Sequence, residues 1–257
     1  MPRIIACFKW VMDEADIKAD PKSRQLVLDR VGYKISDYDR NAIEEAVQLQ
    51  EKHGGSVVGI TVATPGAKPC LKDALSRGPE KACFVNDPAF ENLDPSQTAA
   101  ILAAAIDGKI EYDLIICGEG SSDLYAQQVG PALAEKLGIP CATYVNKLTY
   151  VEGENKVIAQ RKLDDGLETV SVKLPALITV LPDLNTPRIP SLKQVLGAAK
   201  KPVDNVSLAN LQQTFEPCLK TTGILAATME RRRLKFTADP EDIRKVVDSL
   251  IKEGVIA

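Results

Sequence analysis

Short apolar runs alternate with amphipathic stretches across the first 145 residues: RIIACF, DRNAIEEAVQLQEKHGG, SVVGITVA, KPCLKDALSRG, KACFV, DPSQTAAILAAAIDG, YDLIIC and GPALAEKLG follow one another. Strands followed by helices at that spacing predict right-handed crossovers and a parallel sheet covered by helices on both faces. The helix starts are specific. In DPSQ, Asp94 can cap, Pro95 suits the first helical position, Gln97 can reach back, and Gly108 closes the segment. SDYD offers a similar start with Ser36 and Asp39.

From about residue 144 the pattern changes to ATYVNKLTYVEG, NKVIAQRKL, a turn at DDG, then LETVSVKL and PALITVLP. Asp165-Gly166 between two strand-like runs predicts an antiparallel hairpin, so the sheet is expected to be mixed. Pro182, Pro187, Pro190 and Pro202 then punctuate an irregular stretch around the short helical candidate SLKQVLGAAKK, a kind of surface loop that carries binding contacts. The last segment, TADPEDIRKVVDSLIKEG, has an Asp239 cap, Pro240 in the first turn, Lys252 late, and Ile243, Val246, Val247, Leu250 and Ile251 on one stripe. Such a stripe needs an apolar surface to cover, on this chain or on a partner. The Arg231-Arg232-Arg233 run before it reads as a solvated face.

A chain of 257 residues with 45% hydrophobic content can bury one large core, or one core with an appendage. Its formal net charge of -3 provides no basic field to gather phosphate backbones, which argues against a nucleic-acid partner. No apolar stretch approaches the roughly 20 residues of a membrane span, and MPRIIACFKW lacks the features of a signal peptide, so a cytoplasmic protein is expected. The six cysteines show no CxxC pair. Cys7, Cys83, Cys117 and Cys141 stand in or beside apolar runs, as reduced core thiols do rather than metal ligands. The single histidine, His53, precedes Gly54-Gly55 at a predicted helix end, where an imidazole caps the last carbonyls. One imidazole, so placed, disfavours most schemes built on a histidine base.

The stretch CGEGSSDLYAQQVGPALAEKLGIP, residues 117–140, leaves the end of a predicted strand. Ligands of open α/β sheets settle outside the carboxyl ends of strands, near the point where strand order reverses. Gly118 and Gly120 let the backbone turn sharply, Ser121 and Ser122 supply hydroxyls, and the next helix start supplies unpaired N–H groups that favour an anion. Pro131 would break a continuous helix from Asp123, so a helix starting near Gly130 and an extended wrap over 118–129 are expected. Glu119 and Asp123 would repel a phosphate and no lysine lies in the loop, so these carboxylates suit ribose hydroxyls, adenine edges or water. An ordinary polar connection is the plain alternative, since Gly, Ser and Asp are common loop residues. The loop is neither a GxGxxG fingerprint nor a Walker loop. Its echo of the SGGxDS loop of ATP pyrophosphatases fails on position, because it follows the fourth strand and not the first.

Taken together, RIIACFKWVMDE, DRNAIEEAVQL, ALSRG, the 117–140 stretch, LDDGLETVSVKLPALITV and LNTPRIPSLKQVLGAAKKP cover about the first 200 residues in order. In this combination the sequence resembles the β subunit of electron transfer flavoprotein. SSDLYAQQVG and IPSLKQVLGAAKKPV look most like the Fix-type branch. RKLDDG stands where family members commonly show RxIDGG, and SSD replaces the common AID of the pocket loop.

The resemblance implies a three-layer, doubly wound α/β domain with a mainly parallel sheet, related to adenine nucleotide hydrolase-like folds, over residues 1–205. An antiparallel hairpin appendage and, over 206–257, a tether and C-terminal helical arm packing on the α subunit complete it. It further implies a heterodimer whose α subunit carries FAD, with AMP or a second FAD in this chain's pocket. In the bifurcating members NADH is the substrate and ferredoxin or flavodoxin a low-potential acceptor. Carried across by residue, the adenosine-phosphate site falls on Cys7, on Ser36, Asp37, Tyr38 and Asp39, on Ala63, and on Gly118, Glu119, Gly120, Ser121, Ser122, Asp123, Leu124, Tyr125, Ala126, Gln127, Gln128 and Val129. A partner-recognition loop maps to 184–200, where Arg188 and above all Leu192 would meet a dehydrogenase or a quinone oxidoreductase, the latter placing the complex at a membrane surface. No catalytic residue and no metal ligand is expected in this chain, because flavin carries the redox chemistry. A free-standing adenine-nucleotide-binding regulator of the stress-protein type, and an enzyme using Ser121, Ser122, Asp123 or Tyr125, are the alternatives.

Overall fold

The protein is described by a computed structural model that covers residues 1–227 and 233–256. Arg231 and Arg232 lie outside the described residues. The chain divides into a large unit, Met1–Lys18 with Val27–Gly223, and a small one, Ala19–Leu26 with Ile224–Ala257.

In the large unit the strands of the main sheet are β1 (Arg3–Cys7), β6 (Ser56–Ala63), β7 (Lys81–Asn86), β8 (Leu114–Gly118), β9 (Cys141–Val151), β10 (Lys156–Leu163), β11 (Gly166–Lys173), β12 (Ala176–Val180) and β13 (Val203–Val206). Four short ribbon strands, β2 (Trp10–Met12) paired with β5 (Tyr33–Ile35), and β3 (Lys18–Ala19) paired with β4 (Leu26–Val27), lie between β1 and β6 in sequence. Among the described residues the main sheet has nine strands in the order β11-β10-β9-β12-β8-β1-β6-β7-β13. From β9 to β13 every neighbouring pair is parallel, whereas β9, β10 and β11 run antiparallel, as the mixed-sheet reading predicts.

Alternation along the strands makes the two cores. Ile4, Ala6 and Phe8 of β1 and its end pack under α1 (Asp37–His53), α2 (Pro69–Ser76) and α5 (Leu192–Ala198). Ile5 and Cys7 face α3 (Pro95–Ile106), α4 (Val129–Leu137) and α6 (Leu208–Leu211) on the other side. The result is the expected three-layer, doubly wound, mainly parallel arrangement.

Local signals place several elements closely. α3 has the predicted capping box, Asp94 accepting from the Gln97 amide at 2.7 Å and Gln97 reaching back at 3.2 Å. The β10–β11 hairpin differs in detail from the expectation: Leu163 pairs with Gly166, so Asp164 and Asp165 form the turn and Gly166, at φ 152°, closes it. His53 also departs from expectation. Its ring does not cap carbonyls; Nδ1 lies 2.7 Å from Glu152, while the Gly54 amide closes the helix on Gln50. Cys141 is exposed, because it starts β9 near the sheet's margin, whereas Cys7, Cys83 and Cys117 are buried as expected.

Residues 206–223 lie with the large unit: Leu211 is buried, Gln97 Nε2 bonds the Phe215 carbonyl at 2.7 Å, and the second Asp94 oxygen accepts the amides of Cys218 and Leu219. In the small unit, α7 (Pro240–Lys252) is the predicted amphipathic helix, with Ile243, Val247 and Ile251 exposed. Asp239 stands at its N-cap without a capping bond; its carboxylate instead accepts the Thr237 hydroxyl.

Candidate functional site: the crevice between β1 and β8

Strand order reverses between β1 and β8. The chain steps outward from β1 to β6 and β7, then returns to place β8 on the other side of β1. The carboxyl ends of these two strands therefore bound the topological crevice where open α/β sheets bind ligands. Residues 118–129 leave one of those ends, and the first turn of α1 faces them.

The wrap is non-helical, as Pro131 requires: Tyr125 (φ 46°) and Gln127 (φ 58°) take left-handed conformations, and α4 begins only at Val129. Ser122 fastens it to α1. Its hydroxyl accepts the Asp37 amide at 2.9 Å, and its own amide donates to the buried Ser36 hydroxyl at 3.2 Å. The Tyr38 and Tyr125 rings lie 5.1 Å apart, centroid to centroid. Two glycines allow this closeness. A Cβ on Gly118 would meet Asp39 Oδ1 at 2.5 Å, and one on Gly120 would meet the Tyr125 ring at 2.4 Å.

Asp39 joins the two strand ends directly. One carboxylate oxygen accepts the Lys9 amide at 2.8 Å, just beyond β1, and the other accepts the Gly118 amide at 3.2 Å, at the end of β8. Burial pushes this carboxyl up to about 7, against the pull of those two amides and of the Lys9 charge. Cys7 and Cys117 are buried beneath, and their mutual hydrogen bond together with burial raises the Cys117 thiol well above its ordinary value.

The acidic residues are oriented otherwise than the sequence suggests. Glu119 is buried and faces inward, accepting the Tyr144 amide at 2.7 Å and the Thr179 hydroxyl. Asp123 is paired with Lys9 Nζ at 2.6 Å; although burial pushes its carboxyl up, the Lys9 ammonium holds it below the usual carboxylate range. Neither carboxylate therefore stands unpaired against an incoming anion. Lys9 is the residue that sequence reasoning missed. It follows β1, 114 positions from its partner, and the only signal for it was its place just beyond a strand end.

The remaining candidates fall around this centre. Ala63 ends β6 on the far side of β1, where its carbonyl accepts the Asp87 amide at 3.3 Å. Leu124, Tyr125 and Ala126 are exposed on the wrap, and Ser121 accepts the Tyr125 amide at 3.0 Å. Gln127, Gln128 and Val129 lead into α4, whose first turn has no side-chain cap. Uncapped amides at a helix start suit a phosphate, and Pro131 has no N–H to satisfy there. The donor set thus fits an adenine nucleotide, with the α4 start for its phosphate and the Ser36, Ser122 and Tyr125 groups nearby.

The two residues expected to meet a partner differ from one another. Leu192 starts α5 and is 74% exposed beside exposed Ile189 and Leu196. Arg188 is not free on that surface: its guanidinium bonds Glu44 at 2.8 and 3.0 Å and Glu51 at 2.6 and 3.0 Å, bracing the segment on α1. Asn185 adds a second brace, donating to the Asn41 carbonyl and to Glu45 at 3.1 Å each. A groove of about 510 Å³ lies alongside, lined in part by Asp37, Arg40, Arg77 and Ile189.

Among the described residues, no helix is long and apolar enough to cross a membrane. A family model described as Electron transfer flavoprotein domain matches residues 25–211, which take in the 118–129 wrap, all of α1 and the 182–200 segment. The chain belongs to the electron transfer flavoprotein domain family.

Proposed function

We propose that this chain is the β-type subunit of a heterodimeric electron transfer flavoprotein and that the β1–β8 crevice holds an adenine nucleotide cofactor, AMP or the adenylate half of FAD. The observation that carries the reading is the 118–129 wrap. It closes over the switch point of the sheet, turns its acidic residues onto protein partners, and delivers the chain to an uncapped helix start. The Fix-type residues SSD of that loop favour FAD here, with NADH as substrate and electron bifurcation toward ferredoxin or flavodoxin.

Flavin, when bound, supplies the one- and two-electron chemistry. The chain's own residues do the rest. Ser122, Ser36 and Asp39 hold the loop against α1 and the strand ends, the α4 start orients a phosphate, and the tyrosine pair covers the rim from water. An α subunit carrying its own FAD completes the pair, and the amphipathic face of α7 is the arm proposed to meet it. Leu192, with Ile189 and Leu196, is proposed to dock on a dehydrogenase or quinone oxidoreductase.

Co-expression with the α subunit, denaturation of the purified complex and quantification of released nucleotide test this. Two FAD per heterodimer supports the Fix-type reading, and one FAD with one AMP supports the family reading with AMP in this pocket. A single FAD with no second adenylate rejects the nucleotide site.

A further inference from the structure

Free peptide amides at the rim of such a crevice can seat an anion, yet two of them here already have one. The Lys9 and Gly118 amides both donate to the Asp39 carboxylate, which is 7% exposed. Gly118 cannot move away from it through a side-chain change, since a Cβ there would strike both Asp39 and Tyr38. The Lys9 ammonium beside them is paired with Asp123. A phosphate approaching the strand ends therefore meets a buried negative charge with its hydrogen-bond donors already taken.

We propose that Asp39 is a specificity-determining residue: by taking the Lys9 and Gly118 amides for its own carboxylate, it reserves the strand ends for an uncharged, hydroxyl- or amino-bearing part of the nucleotide and excludes the phosphate. The inference rests on the nucleotide-site reading above and goes beyond it by stating which portion of the ligand the crevice admits. The excluded phosphate is left to the start of α4, where the amides have no cap.

The exclusion has a pH signature. The groups facing Asp39 are the Lys9 ammonium beyond β1, Asp123 of the wrap, Tyr38 on α1, and the Cys117 thiol on β8. Asp123 is held low and stays charged near neutrality, and Cys117 is held high and stays neutral. Asp39, raised by burial to about 7, is the group whose charge changes there. Below neutral pH its carboxyl is protonated and the exclusion relaxes.

The test uses the full chain freed of nucleotide, titrated with adenosine and with ADP-ribose, whose diphosphate diester keeps its charge across the range. The affinity ratio of ADP-ribose to adenosine is expected to rise about tenfold between about pH 9 and about pH 6. Asp39→Ala is expected to abolish that slope and to keep the high ratio at all pH values. Asp39→Asn gives the same answer if the alanine variant does not fold, and the wild-type titration stands without either. A flat wild-type ratio with both ligands bound, or a slope that survives loss of the carboxylate, overturns the proposal alone. If neither ligand binds at any pH, the nucleotide-site reading itself fails, and the proposal with it.

Discussion

Glu119 and Thr179 are hydrogen-bonded partners inside the sheet rim, the buried carboxylate accepting from the hydroxyl while its same oxygen accepts the Tyr144 amide at 2.7 Å. Tyr144 sits at φ 59° where the β9–β12 register shifts between Ile178 and Val180, so one side chain holds both the bulge and the start of the 118–129 wrap. Glu119→Ala leaves a buried hydroxyl and a bulge amide unmatched and is expected to cost about 2–4 kcal/mol. Glu119→Gln, which keeps an acceptor for the amide and a donor for the hydroxyl oxygen, is expected to cost less than half of that. Urea denaturation of the three proteins checks the order.

Arg188 is expected to act on stability before it acts on docking. Glu44 is almost wholly buried beneath it, with 5% of its side chain exposed. Arg188→Ala strands that carboxylate and should destabilise by about 3 kcal/mol, with Arg188→Lys recovering little because a point charge cannot span Glu44 and Glu51 together. Although burial pushes Glu44 up, the Arg188 bonds bring it below its ordinary value. That contribution is present above the unfolded carboxyl's value and is lost as pH falls through the folded one. Thermal melts at neutral and acid pH should show the wild-type advantage over Arg188→Ala shrinking in acid.

The glycines separate into crowded and open positions. Gly118→Ala drives a Cβ to 2.5 Å from Asp39 Oδ1, and Gly130→Ala drives one to 2.5 Å from Thr179 Cγ2. Each is expected to destabilise by about 1–3 kcal/mol. Gly197, in α5 with nothing within 4 Å of an added Cβ, should gain up to about 1 kcal/mol as alanine. Denaturation midpoints of the three variants decide this.

Asp39 gives stability a slope of its own. Its folded carboxyl, raised to about 7 from 3.8, keeps a proton that the unfolded chain has already lost. The folded state binds more protons between about pH 4 and pH 7, so this contribution is full below that window and is lost as pH rises through it. Asp39→Asn should flatten the stability profile there by up to a few kcal/mol, measured by denaturation across the window.

Much of this was legible because it is local. The Asp94–Gln97 box declared α3, Pro131 declared the late start of α4 and hence the extended wrap, and the short apolar runs RIIACF and YDLIIC declared the strands whose ends bound the crevice. What was not legible depends on chain segments far apart in sequence. The Lys9–Asp123 pair, the capture of two strand-end amides by Asp39, and the inward turn of Glu119 arise only when β1, β8 and β12 are brought side by side. Arg188 reads as a free surface cation until α1 presents Glu44 and Glu51 to it. His53 and Cys141 went astray for the same reason, since the hairpin turn that offers Glu152 and the sheet margin that exposes Cys141 are properties of the assembled fold.

The central claim is that an adenine nucleotide is held by the 118–129 wrap. Photolabelling of the purified heterodimer with an azido-adenine nucleotide, followed by peptide mapping of this chain, tests it most directly. The account predicts label in the peptides carrying residues 36–39, 63 or 118–129, suppressed by unlabelled AMP or FAD. Label confined to other peptides, or label in these that neither nucleotide displaces, would contradict it.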